Sequence, residues 1–340
     1  MVSGHDSNKL QRLLQAAYHK DNFYMVHLDK KALPGQVQRT ESVFDQFFGA
    51  KPANARMLRP SVSVSWGGYT LTLAAVFGIA TALQWNGAWD YFINLSASDY
   101  PTMSQDDIRN LLGGFAGTGT SFLDGNVMHN YDMRWYGVVD DQGVYRGPAQ
   151  ATLDAMHMLY QRRPRPQRFL LYKGEFWVAL HRSFCLYVHQ SPDNVARTLQ
   201  AYFSSSRVSD ESFFQTVACH PEGWSFPVHY DNLRHTNWQE DGWKGGRRVD
   251  KNGNPLLHPE AVKQKHLFTV MGSGALFARK FALPGSEDAY RALLKALRDK
   301  EKSARTAAIA AERLRPARAI SGRLNFCNLT GEWDPGGLSP

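Results

Sequence analysis

The feature that most constrains this chain is a recurrence. Short apolar runs end in a polar or aromatic residue, and helical periods alternate with them. Residues 22–29 (NFYMVHLD) read as a strand closing on Asp29. Residues 61–65 alternate Ser and Val and read as a second strand, followed by Gly67-Gly68 and a helix over 69–83. Residues 90–95 (DYFINL) form a third run, mostly apolar and so expected at the centre of a sheet. Ahead of these, residues 8–19 carry Leu10, Leu13, Leu14 and Ala17 at amphipathic-helix spacing. Behind them a helix is expected from Ser104, with Asp106 and Asp107 at the positive end of its dipole. Strands alternating with helices predict an α/β layer with a largely parallel sheet. Ligands of such sheets sit beyond the carboxyl ends of the strands, which here carry Asp29, Trp66 and Asp99.

From about residue 115 the pattern changes. Trp, Tyr, His and Arg become dense and strands shorten, which predicts a mixed α+β half. Residues 161–167 (QRRPRPQ) read as a basic loop broken by proline, and residues 286–314 return to helix with Leu293, Leu294 and Leu297 inward. The Pro- and Gly-rich residues that follow read as irregular. The 340 residues suffice for one large or two ordinary domains, and 43% hydrophobic with 21% charged residues is a globular balance. Cys185, Cys219 and Cys327 are too few for a disulfide scaffold or a four-cysteine zinc site. A net charge of +8 suits anionic ligands such as nucleotides or acidic glycans. No block of basic residues stands alone, so nucleic acid is not an expected partner. The longest apolar stretch, 71–83, is too short to cross a bilayer and reads as a buried helix. The N-terminus lacks a signal-peptide pattern. Met1-Val2-Ser3-Gly4 reads as the tail of a strand whose front is missing.

The motifs narrow the chemistry. Neither a P-loop nor the G-x-G-x-x-G fingerprint occurs. H-E-x-x-H is absent, and no two aspartates are two positions apart. The chain therefore lacks the Asp-x-Asp with which many nucleotide-sugar transferases hold Mn²⁺. Any diphosphate bound here must be neutralised by Arg or Lys. Arg279-Lys280, between Phe277 and Phe281, is such a pair, or else an exposed strand with solvated charges. Glu211 beside Phe213 and Phe214 suits a desolvated general base. Equally, Ser209-Asp210-Glu211 reads as a capped helix start. His27 and Asp29 share one face of a strand, to touch a ligand or to satisfy a loop. Trp66-Gly67-Gly68 is a stacking platform with a tight turn, or a core Trp. Cys185 reads as a buried hydrophobe. Asn94 and Asn328 fit the glycosylation pattern, the first inside an expected strand and inaccessible, the second usable only in a secretory protein.

Several stretches in this order resemble one family of glycosyltransferases, the core-2/I-branching enzymes and peptide O-xylosyltransferases. They are YHKDNFY (18–24) with HLD (27–29), VSWGG (64–68), WDYFINLSASDYP (89–101), ESFFQTV (211–217), DNLRHTNW (231–238) and FARKF (277–281). Each alone is weak; in series they are specific, and the Thr-Asn-Trp stretch leans to the xylosyltransferase branch. The resemblance covers residues 1–285. It implies a GT-A-like sheet flanked by helices, with a nucleotide-binding half (1–115) and an acceptor and catalytic half (116–285). A C-terminal helix and irregular tail (286–340) follow. It also implies an inverting transferase with a UDP-sugar donor, a protein or glycan acceptor, and no metal or other cofactor. Glu211 is then the catalytic base, which favours that reading over capping. Arg279 and Lys280 bind the diphosphate, and Asp29, Val64, Ser65 and Trp66 line the nucleoside. Phe176, Trp177 and His258 contact the donor, and Arg134 and Trp135 hold the acceptor. Golgi or secretory-pathway membranes are the implied location, with the anchor missing from this sequence.

The departures bear on the donor. Glu175 stands where relatives often have Ser before the donor-site Trp. Glu260 replaces a basic residue of some relatives, with Lys263 or Lys265 near enough to compensate. Xylose transfer from UDP-xylose to a protein hydroxyl is the expected activity. The alternatives are β-1,6-N-acetylglucosaminyl or glucuronosyl transfer to glycans, or a non-catalytic nucleotide-sugar-binding relative. A glycosidase is disfavoured because no second carboxylate accompanies Glu211 in the sequence.

Overall fold

The computed structural model describes residues 6–49, 52–85, 87–127, 137–141, 144, 156–162, 166, 168–220, 226–238, 242–244, 247–249, 258–282 and 284–314. The first helix, Ser7–Ala17, is capped by the Asp6 carboxylate and buries the expected stripe of Leu10, Leu13, Leu14 and Ala17. That stripe packs with Phe44 of the helix Pro34–Phe48 and Val26 of the strand Tyr24–Val26. Tyr24–Val26 pairs in parallel with Ala55–Met57. The strand expected over 61–65 does not form. Pro60 lacks an amide proton and interrupts the ladder. Beyond it the backbone finds side-chain partners instead: Val62 N–H donates to His27 Nε2 (2.9 Å) and Ser65 N–H to Thr70 Oγ1 (2.8 Å).

A four-stranded sheet runs in the order Val228–Tyr230, Ser121–Leu123, Ala179–His181, Tyr91–Ile93. The first pair is parallel, and Ala179–His181 is antiparallel to both of its neighbours. The sheet is thus mixed, not largely parallel, and the strand expected at the centre lies at its edge. Chain order is the reason. The neighbour of Tyr91–Ile93 arrives after a long excursion through the second half, not through the helical crossover that imposes parallel pairing. A cavity of about 420 Å³ separates Tyr91–Ile93 from Tyr24–Val26. A third sheet sets Arg234–Thr236 parallel to Phe277–Arg279, with Tyr100–Pro101 antiparallel on the other side. It brings the stretches that follow Asp99, Asn232 and Leu276 side by side.

The main core is aromatic: Phe184, Phe213 and Phe214 are all fully buried. The helix Tyr69–Trp85 runs through it, with Ala74, Ala75 and Ile79 inaccessible, as its apolar sequence predicts. No helix among the described residues is long and apolar enough to cross a membrane. Thr70 starts this helix against Asp141, whose Oδ2 accepts from both its amide and its hydroxyl at 2.9 Å. Gly68 is required there, because a Cβ would lie 2.2 Å from the same oxygen. Ser104 caps Gln105–Ala116 as expected. The single helix expected over 286–314 is two, Glu287–Arg298 and Lys300–Leu314. Asp299 is extended between them, and its carboxylate accepts from the Lys302 amide, capping the second.

Candidate functional site

The site is organised by the loop between the strands Tyr172–Lys173 and Ala179–His181. Three parts of the chain grip its backbone. Gly174 N–H donates to the Glu211 carbonyl (2.8 Å), and Glu175 N–H donates to Asp124 Oδ1 (2.8 Å). Gln215 Nε2 donates to the Glu175 carbonyl (2.8 Å). Asn94 closes the loop, donating to the Phe176 carbonyl (2.8 Å) and accepting from Val178 N–H (2.9 Å). Asn94 is 1% exposed, so its glycosylation pattern is structural coincidence and its amide is a brace. Only glycine fits at 174, where a Cβ would lie 2.1 Å from the Asp124 carbonyl oxygen.

This loop aims two side chains, Glu175 and Trp177, at the strand pair Arg234–Thr236 and Phe277–Arg279. Glu175 Oε2 accepts from Asn232 Nδ2 (3.1 Å) and Thr236 Oγ1 (3.3 Å). The Trp177 ring lies beneath two guanidinium groups, Arg279 at 3.9 Å and Arg234 at 5.2 Å, and the Phe176 ring is tilted against it at 5.4 Å. Both arginines stand 3.6 Å from Asp99 Oδ1. Two cations therefore share one carboxylate. Arg234 is buried, and burial pulls its pKa down to about 10 against the opposing pull of Asp99. Lys280 follows; burial and the Arg279 charge lower its pKa. Among the described residues no carboxylate pairs with Lys280. A surplus of buried positive charge with an open side is a seat for an anion.

Trp66 is 68% exposed and meets His258 edge to face at 6.4 Å. This excludes the core-Trp reading and leaves the platform. From His258 the chain runs directly to Lys280: Glu260 N–H donates to the Asn237 carbonyl and Val262 N–H to the Lys280 carbonyl, both at 2.9 Å. One segment thus ties the Trp66 rim to the cation seat. Asp29 accepts from Lys31 N–H (2.8 Å) and pairs with Lys31 Nζ (3.0 Å), which also donates to the Val64 carbonyl. Asp29, Val64 and Ser65 are so locked as one unit beside Trp66. His27 belongs to the scaffold, because it accepts from Val62, and burial lowers its pKa to about 4.

Glu211 ends a single tight turn, Ser209–Glu211, before the helix Phe213–Ala218. Neither start carries a side-chain cap, so the capping alternative is not what the structure adopts. Its carboxylate lies 3.9 Å from Lys173 Nζ, both side chains about one-third exposed at 35%. Asp124 joins it from the end of Ser121–Leu123. Burial first, then the Glu175 and Glu211 charges, push its carboxyl up to about 7. Sequence reasoning missed Asp124, although a carboxylate closing an apolar run was the signal already used for Asp29. Two further carboxylates, Asp124 and Glu175, thus accompany Glu211 in space, correcting the expectation that it stands alone. Arg134 and Trp135 lie outside the described residues.

Residues 1–264 match the family model for the Core-2/I-Branching enzyme. The chain belongs to this family. Two relatives within it are plant enzymes from Arabidopsis thaliana. Beta-glucuronosyltransferase GlcAT14A is 30% identical over 292 residues, 83% of this chain and 60% of that protein. GlcAT14C is 31% identical over 280 residues, 81% of this chain and 67% of that protein. Xylosyltransferase 1 from Homo sapiens is 30% identical over 289 residues, 83% of this chain and 28% of that protein. The chain spans about three fifths of the first of these relatives. Family members named for two different sugars match at the same identity, so similarity alone does not choose the donor.

Proposed function

We propose that this chain is an inverting, metal-independent glycosyltransferase of the GT-A type that takes its sugar from a UDP-sugar. The observation that carries the reading is the 174–177 loop. One end is bonded to Glu211, and at the other the Trp177 ring lies beneath Arg279. A base for an acceptor hydroxyl and a cationic seat for a diphosphate therefore lie on either side of one short segment. Glu211 takes the proton as the hydroxyl oxygen attacks the anomeric carbon. The bond to the diphosphate breaks on the opposite face, and Arg279 and Lys280 take the charge that develops there. Those cations do what Asp-x-Asp and a metal do elsewhere, which supports metal independence. Trp66 stacks on the uracil, and Asp29, Val64 and Ser65 meet the ribose. His258 closes the nucleoside side, while Phe176 and Trp177 face the donor. Arg134 and Trp135 remain acceptor contacts by resemblance, and Golgi membranes the location by resemblance.

The donor we favour is UDP-xylose, with a protein hydroxyl as acceptor. Glucuronosyl or β-1,6-N-acetylglucosaminyl transfer to a glycan is the second reading, and the plant relatives' names favour the glucuronosyl form. UDP release in EDTA from UDP-xylose, UDP-GlcNAc and UDP-glucuronate, run separately, tests both. One donor is expected to be turned over without added metal. Glu211→Gln should bind UDP as before and lose about 10²–10⁴-fold in rate. Strict Mn²⁺ dependence, or a Glu211→Gln protein as active as its parent, refutes the reading. UDP binding without turnover of any donor points instead to a binding relative.

A further inference from the structure

The space between Glu211 and Arg279 is where a transferred sugar must sit, since one end meets the base and the other the diphosphate. Glu175 spans that space. Its backbone is bonded beside Glu211, through Asp124 and Gln215. Its carboxylate is bonded to Thr236, whose strand partner is Arg279. Glu175 is not a solvated surface acid. Four hydrogen bonds to four different residues fix it, and they leave Oε1 with no hydrogen-bond partner among the described residues. An oriented, unengaged carboxylate oxygen accepts from a sugar hydroxyl.

On the Glu211 side of the loop, carboxylates outnumber cations among the described residues. Asp124, Glu175 and Glu211 form one group, because the charges of the other two act on the Asp124 carboxyl. Lys173 pairs with Glu211. The arginines that face Glu175 from the next sheet are shared with Asp99. A uronic acid in this space brings a further carboxylate against that group, and like charges in a partly desolvated site repel strongly. A pentose or an N-acetylhexosamine brings only hydroxyls and an amide.

Resting on the function proposed above, we infer that Glu175 determines donor class, admitting an uncharged sugar and excluding a uronic acid. The test is competition binding of UDP, UDP-xylose, UDP-GlcNAc and UDP-glucuronate in EDTA, which needs no turnover. The parent chain, Glu175→Gln and Glu175→Asp are compared. In the parent, the better uncharged donor should bind about tenfold or more tighter than UDP-glucuronate. Glu175→Gln keeps an acceptor oxygen for Asn232 and Thr236 but no charge. It should bring that ratio down at least about tenfold with UDP itself unaffected, while Glu175→Asp retains the preference. A parent that binds UDP-glucuronate as well as the uncharged donors overturns the inference, whether or not the variants fold. So does an unchanged ratio in a Glu175→Gln protein with parental melting temperature and UDP affinity. Both of those results leave the transferase reading standing. A parent that does not bind UDP overturns both.

Discussion

The Arg279 guanidinium lies 3.9 Å from the centre of the Trp177 ring, and Asp99, its nearest carboxylate among the described residues, stands 3.6 Å away and is shared with Arg234. The indole therefore does part of what a second carboxylate would do. It holds the cation in place without neutralising it, so the charge stays available to an anion. A cation over an aromatic face in a partly desolvated site is worth about 1–2 kcal/mol. Trp177→Leu should therefore weaken UDP binding about tenfold, while Trp177→Phe loses less. Arg279→Lys should lose a similar amount, because an ammonium keeps the charge but not the planar face. Calorimetric titration with UDP in EDTA measures all three. Parental affinity in Trp177→Leu sinks this account of the pair.

Lys280 gives the site a pH dependence whose sign is fixed. Burial and the neighbouring Arg279 lower its pKa, so it loses its proton at a lower pH than an ordinary lysine. On the proposed function, diphosphate binding uses the charged form. UDP affinity should therefore fall as pH rises, and the fall should begin below the usual lysine range. Lys280→Arg keeps its charge to higher pH than a lysine does, and Arg234 is common to both proteins. The ratio of the two proteins' affinities cancels the titration of UDP itself. That ratio should decline from pH 7 toward pH 10; a flat ratio shows that Lys280 does not meet the anion.

Local signals in the sequence transferred well to the structure, and spatial ones did not. The stripe Leu10, Leu13, Leu14, Ala17 and the Ser104 cap are written within one or two helical turns, and both form as read. The cation pair at Arg279-Lys280 was visible because the residues are adjacent. The carboxylates beside Glu211 were not, because Asp124 and Glu175 reach it only through loop contacts between distant segments. The parallel sheet failed for the same reason. Alternation predicts the direction of strands joined by a helix, but Ala179–His181 enters between its neighbours from the other half of the chain. Asn94 shows the limit from the other side. Its local pattern reads as a modification signal, while its two bonds to the 176–178 backbone make it a brace for the site.

His27 links this scaffold to acid stability. It is 1% exposed, its Nε2 accepts from Val62 N–H, and its pKa is lowered to about 4, mainly by burial. Asp29 works against that shift and Lys31 with it. In the unfolded chain the group titrates near 6.5. Between those values the unfolded state binds more protons than the folded one, so stability rises with pH across that window. The contribution is complete above about pH 6.5 and is lost as pH falls toward 4, to a limit of about 3 kcal/mol. His27→Gln offers Val62 an acceptor oxygen that does not titrate. Urea unfolding at pH 7 and pH 4.5 should show the parent losing about 2–3 kcal/mol more than the variant. Equal losses in the two proteins mean that protonating His27, which ends its acceptance from Val62 N–H, costs the fold nothing.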